Sequence, residues 1–291
     1  MPGPDQSPRL APDQWRVTPP DPRAADVQGV TQLLATAAAE GAAKLPMLSA
    51  AELYALCGAR QVLTEHDEQQ RWAALTEEGR AQLAAAATSF LLDRELLRRL
   101  EQDSSAQDGN GAAGPADGLI AAHGTQVMDL PMAPPLALII TARQCPVVVA
   151  AGTRPDGSTT GTPRMYGLGE NGRPLRAVVV EMVTGRAHKL LGPLHEFVLM
   201  SPAMAGQALA AWAATPPRAG LRRQPHDRTV SVYRHQPGSG LSRDRLTVTA
   251  TGPGNMTAVR EPAGSATPVP VTGGRAALAA LLTGMLTGEQ P

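Results

Sequence analysis

The chain has 291 residues, 43% of them hydrophobic, and carries 26 basic and 26 acidic side chains. That length makes one large domain or two modest ones, with a core large enough to stand without disulfides. The balanced charge argues against a dedicated nucleic-acid binder, and the two cysteines, Cys57 and Cys145, lie far apart and outside any CxxC pairing, which argues against a disulfide framework or a thiolate zinc site.

The charge is unevenly placed. Residues 1–110 hold 16 acids and 10 bases, and residues 111–291 hold 10 acids and 16 bases, so the two parts attract one another within a screening length of roughly 8 Å. All but Lys44 and Lys189 of the bases are arginines. With the abundant Ala, Gly and Pro, this reads as the codon bias of a GC-rich genome rather than as phosphate recognition. The first residues, MPGPDQSPRLAPDQW, lack a basic stretch followed by an apolar one and do not read as a secretory signal. The apolar runs, such as 136–140 and 146–151, are of strand length and too short to cross a membrane. The expectation is a soluble, cytoplasmic protein that does not enter a membrane.

Residues 1–22 are proline-rich and are expected to form a flexible N-terminal tail, with Trp15 and Val17 docking as an edge strand. From Ala24 to about Ala43, Val30, Leu33, Leu34 and Ala37 fall at helical spacing. After Pro46, the segment Ser49-Ala50-Ala51-Glu52 spells a capping box that opens a helix through Leu53, Leu56 and Cys57. Thr64 with Glu65, Asp67 and Glu68 opens another, its acids matching the positive end of the helix dipole. Thr76 with Glu77 and Glu78 opens a longer one. Its core stripe is Leu83, Ala87, Phe90 and Leu91, continued by Leu96, Leu97 and Leu100. Residues 23–101 are thus a helical layer, and residues 102–118 a flexible connector.

From Pro134 the pattern changes to short apolar runs broken by Gly and Pro. Leu136–Thr141 and Val147–Ala151 read as a hairpin joined through 142–146. Arg164–Leu168 and Arg176–Val183 flank an Asn171-Gly172 turn, a pair favoured where both central residues need positive φ. Arg186–Leu191 and Glu196–Met200 continue the meander. Ser201-Pro202 starts a helix with Leu209 and Trp212 on its inner face, stopped by Pro216-Pro217. Four further strands follow, at Thr229–Tyr233, Leu246–Thr251, Met256–Arg260 and Pro268–Val271. In the second of these, Leu246, Val248 and Ala250 alternate with threonines, the mark of a half-exposed antiparallel strand. Leu278, Leu281, Leu282 and Met285 place a final helix. The fold class is α+β: an N-terminal helical layer, then mostly antiparallel sheet in two sheet-then-helix passes, with residues 119–291 packed against 23–101 as one domain.

Gly167, Gly169 and Gly172 spell GxGxxG, but a strand-like run follows where a dinucleotide fold needs a helix, so they read as a turn. Gly238-Ser239-Gly240 has Pro237 where a nucleophile elbow needs glycine, and it lies between antiparallel strands. The six histidines show no i, i+4 pair on a helix, and His188 with His195 would be a sparse metal set. Glu181 is the single charge in the apolar run 177–183. It is either exposed at an edge or buried and paired, in the ordinary case with Arg164 or Arg176 across the hairpin. No catalytic, cofactor-binding or metal-binding residues are assigned. The segment 75–100 mixes Asp93, Arg94, Glu95, Arg98 and Arg99, a poor pattern for a DNA-facing helix.

The stretches LSAAELYALCGA (48–59) and LTEEGRAQLAAAATSFLLDRELL (75–97), followed by the central strands 136–183, the helix after Ser201 and the second sheet-then-helix pass, resemble the EspG-type chaperones of ESX (type VII) secretion in actinobacteria. The similarity lies in the order of elements rather than in a diagnostic motif, and it assigns no binding residue. It implies a cytosolic, non-enzymatic protein that binds a helical secretion substrate and keeps it soluble. The alternatives are an enzyme or accessory protein, which requires Glu181, His188, His195 or Arg164 to converge in a pocket, and a DNA-binding regulator built on the helical layer.

Overall fold

In the computed structural model the described residues are 9–10, 24–57, 62–64, 66–98, 131–170, 173–215, 226–236, 240–252, 255–265 and 267–289. Among them the chain forms seven helices and a ten-stranded antiparallel sheet, the α+β class that the sequence indicates. In chain order the elements are β1 (Arg9–Leu10), α1 (Ala24–Glu40), β2 (Ala42–Lys44), β3 (Leu48–Ser49), α2 (Ala50–Cys57), β4 (Leu63–Thr64), α3 (His66–Ala73), α4 (Glu77–Asp93) and α5 (Pro134–Gln144). Then come β5 (Val148–Thr153), β6 (Pro163–Leu168), β7 (Ala177–His188), β8 (Gly192–Met200), α6 (Pro202–Ala213), β9 (His226–Gln236), β10 (Gly240–Gly252), β11 (Asn255–Glu261), β12 (Val269–Val271) and α7 (Arg275–Thr287). No helix among the described residues is long and apolar enough to cross a membrane.

The sheet runs β12-β11-β10-β9-β5-β6-β7-β8-β2, with β3 also on β8. Each pass is therefore a four-stranded meander ending in a helix, and the first strands of the two passes, β5 and β9, pair at the centre. Alternation along the central strands feeds two cores. Val149, Ala151, Tyr166, Val179, Phe197 and Leu199 face α1, α2 and α5. Val148, Ala150, Met165, Val178, Val180, Val230 and Val232 face α6 and α7. In β10 the buried Leu246, Val248 and Ala250 alternate with partly exposed Thr247 and Thr249, as the half-exposed pattern requires.

The helix starts follow local chemistry. Ser49 Oγ accepts from the Glu52 amide at 3.2 Å while the Ser49 amide donates to Glu52 Oε2 at 2.6 Å, the reciprocal capping box. Thr76 Oγ1 accepts from the Gly79 amide, and Ser201 Oγ from the Met204 amide. The end of α4 is a Schellman turn: the Leu96 amide donates to the Leu91 carbonyl and the Glu95 amide to the Leu92 carbonyl. Glu95 takes the left-handed position with φ 55°, where glycine is usual. A side chain there costs about 1–2 kcal/mol of steric strain, partly offset by glycine's larger unfolded entropy. Glu95→Gly is expected to raise the unfolding free energy by about 1 kcal/mol in urea titration. A loss of stability would show that the Glu95 side chain contributes more than its backbone strain costs.

Several expectations are corrected. Leu136–Thr141 is not a strand but the body of α5. Pro134 and Pro135 set the first helical turn, and the helix is buried nearly all round between sheet and α1, so its sequence shows no polar face. Arg186–Leu191 is not a separate strand: β7 continues to His188, with a register shift between Val183 and Ala187, and turns directly into β8. The long helix of the N-terminal layer stops at Asp93, and Phe90 lies at its surface, 37% exposed, edge-on to His188. Two short strands of that layer, β2 and β3, extend the main sheet. Near the N-terminus it is Arg9–Leu10 that pairs, with β4. Trp15, Val17, the 102–118 connector, the Asn171-Gly172 turn, Gly238-Ser239 and Pro216-Pro217 lie outside the described residues.

Candidate functional site

The densest polar chemistry lies inside the protein, between the sheet and α5. Glu181 is on the face of β7 that Ala177 and Val179 share, directed into the first core. The register sets Arg164 of β6 opposite it on one side and Phe197 of β8 on the other. The cross-strand partner is therefore Arg164; Arg176 instead joins Arg173 in a surface ion pair with Glu170.

Both carboxylate oxygens of Glu181 are engaged. Oε1 accepts from Arg164 Nη1 at 3.2 Å and lies 2.7 Å from His195 Nδ1. Oε2 accepts from the Tyr166 hydroxyl at 2.8 Å and is paired with Arg143 Nη1, reaching in from the last turn of α5. With the carboxylate ionised, His195 carries its proton on Nδ1 and donates. The Arg143 guanidinium also lies over the Tyr166 ring, 6.0 Å from its centroid. Arg143, Arg164, Glu181 and His195 all have side chains no more than 2% exposed.

Burial alone would push the Glu181 carboxyl up, but Arg143, Arg164 and His195 together hold it well below the usual carboxylate range. Burial, reinforced by the neighbouring Glu181 charge, pushes the Tyr166 phenol up. Burial also pushes the Cys57 thiol, at the end of α2 beside Arg143 and Gln144, up to about 11, against the pull of Arg143. Cys57 is therefore a thiol at neutral pH and not a nucleophile. A carboxylate this firmly ionised is no general acid, and one with both oxygens filled by charged and phenolic donors is a poor general base.

The structure brings together Glu181, His195 and Arg164, and adds Arg143 and Tyr166. It does not bring in His188, whose Nδ1 accepts from the Leu190 and Leu191 amides at 3.3 Å each and so caps the β7–β8 turn. Among the described residues no group of three His, Cys, Asp or Glu is placed to hold a metal ion. Gly167 sits inside β6, against Val148 and Leu175, and β6 runs antiparallel into β7, so no helix follows the glycine motif. In the helical layer Arg94 donates to Glu52 Oε1 at 2.9 Å and to the Met47 carbonyl. It ties α4 to the start of α2 and is not available to a phosphate.

The second polar feature is a sheet face that no described helix covers, closed only beside β5, where Tyr233 packs on the first core. The β9–β12 half of the sheet is covered by α6 and α7 on one side. Its other side carries Tyr233, His235, Leu241, Arg243, Arg245, Thr247, Thr249 and Val259. Arg243 lies over Tyr233 at 5.7 Å, Arg245 faces Glu261 at 3.8 Å, and Leu241 and Val259 are 37% and 39% exposed. No protein-family model, curated protein or solved structure matches the chain.

Proposed function

We propose that the chain is a non-enzymatic binding protein of the cytosol, a chaperone of the ESX (type VII) secretion type that holds a helical protein partner. The observation that carries this reading is the open half-sheet. Backbone pairing fixes its strands, while its outer side presents the exposed Leu241 and Val259 with arginine side chains around threonines, a mixture of apolar and arginine surface suited to a protein interface. An amphipathic helix laid along β10 would meet Leu241 and Val259 with its apolar side and place an acidic side chain against Arg243 and Arg245, which lie between them. The order of elements resembling the EspG-type chaperones supports the same reading.

One observation favours an enzyme instead: His195 and Arg164 both lie within hydrogen-bond reach of Glu181. Their burial and saturation weigh against it, because a substrate would have to displace an arginine from a buried carboxylate. Co-expression with candidate small helical secretion substrates separates the readings. The expected result is a partner that is soluble only with the chain and co-elutes with it at fixed stoichiometry. A partner equally soluble alone, and eluting alone, overturns the proposal.

A further inference from the structure

At one end of the sheet β5 and β9 make their last pair at Thr153 and Thr229, and the next residues in that register are both arginines, Arg154 and Arg228. Both are half-buried; Arg228 lies against Trp212 in the last turn of α6, and Arg154 follows two residues after Gly152, on the face of β5 that Trp212 covers. The indole lies against β5 because Gly152 has no side chain; a β-carbon there would sit 2.7 Å from the ring. The Arg228 guanidinium lies 5.0 Å over the same ring and donates to the Trp212 carbonyl.

Like charges opposed across an antiparallel pair repel, and this pair lacks the usual remedy. Among the described residues neither arginine forms an ion pair with a carboxylate. Asp156 attracts Arg228 only from a distance, and its carboxylate accepts from the Ser158 amide. Burial, with Arg154 adding to it, holds Arg228 below its ordinary value. Two N–H groups here are shielded from water and have no acceptor among the described residues: Arg154 Nε and Trp212 Nε1. Arg154 Nη2 reaches the Gly161 carbonyl at 3.3 Å, which anchors the guanidinium and leaves its Nε edge uncommitted. Shielded donors without acceptors are rare in folded proteins and mark a missing acceptor.

We propose that Arg154, Arg228 and the Trp212 indole N–H form a binding site for a small oxyanion, a phosphate or a carboxylate. A planar pair of oxygens suits an arginine edge, and the anion removes the repulsion between the two guanidiniums. The carbonyl end of α6 opposes an anion with only a partial charge, and Arg228 already occupies the Trp212 carbonyl. Two full positive charges outweigh it. This inference is independent of the chaperone reading.

Titration calorimetry of the full chain with inorganic phosphate, at ionic strength fixed with chloride salt, tests it. The expected result is saturable one-to-one binding. It should weaken about tenfold in Arg154→Lys, which keeps the charge but loses Nε and the fork. Trp212→Phe, which keeps a ring against Gly152 without the donor, should weaken it too. Acetate run in parallel assigns the chemistry: tighter phosphate marks a phosphate ligand, tighter acetate a carboxylate. Binding of neither anion, or equal binding by parent and variants, overturns the proposal. Thermal unfolding verifies that each variant is folded, and if Trp212→Phe is not, Arg154→Lys alone decides.

Discussion

Glu181→Gln is expected to remove about 3–5 kcal/mol of unfolding free energy, the usual cost of taking one partner from a buried ion pair. The physical reason is what remains behind. Arg143 and Arg164 stay in the first core with side chains 1% and 2% exposed, and both lose the carboxylate charge they share. The glutamine also gives the Tyr166 hydroxyl and His195 Nδ1 weaker acceptors than an ionised oxygen. A typical domain has only about 5–15 kcal/mol to lose. Urea unfolding read by circular dichroism checks this, and a change below about 1 kcal/mol would show that the cluster does not hold α5 to the sheet.

The same group sets an acid limit. Its folded pKa is depressed, so its contribution is fully present above the unfolded carboxylate value of about 4.3 and is lost as pH falls toward the folded value. The parent chain should therefore lose stability below about pH 4 more steeply than Glu181→Gln does.

A side chain at position 206 is expected to have the second largest effect. Helices α6 and α7 touch where Gly206 meets Ala279 and Thr283. A β-carbon there would lie 2.1 Å from Thr283 Oγ1, 2.9 Å from the Thr283 amide nitrogen and 3.0 Å from the Ala279 carbonyl oxygen. Two of these atoms are backbone, so relief requires the helices to separate. Separation opens the core formed by Leu209, Leu278 and Leu282 under both helices. Gly206→Ala should cost about 1–3 kcal/mol in spite of alanine's better helix propensity, and Gly206→Leu more. A neutral Gly206→Ala in thermal unfolding would mean that the two helices do not approach so closely.

What the sequence made legible was set by the range of the chemistry. Ser49 with Glu52, Thr76 with Gly79 and Ser201 with Met204 act within one helical turn, and each is visible in four consecutive residues. The alternation of β10 is equally local. The run 136–141 suits a strand as well as α5, because a helix buried nearly all round has the same unbroken apolar run as a buried strand. The signal that separates the two was Pro134-Pro135, which suits a first helical turn. Phe90 belongs to a helical stripe by spacing alone, but α4 turns that position toward the β7–β8 hairpin. For Glu181, parity and register point to Arg164. Arg143 is brought in by the packing of α5 on the sheet, a distant contact that one sequence does not encode in any spacing. Its only trace was an arginine at the end of an apolar run.

The docking surface proposed above is the outer side of the β9–β12 half-sheet, whereas the buried Glu181 cluster joins α5 to the sheet. The most direct test is titration of a helical partner obtained by the co-expression described above against Val259→Glu, which adds a charge to the outer side of β11 away from both cores. The predicted result is binding weakened about tenfold or more with unchanged thermal unfolding, as expected for a central interface position. Unchanged affinity in that variant would contradict the account.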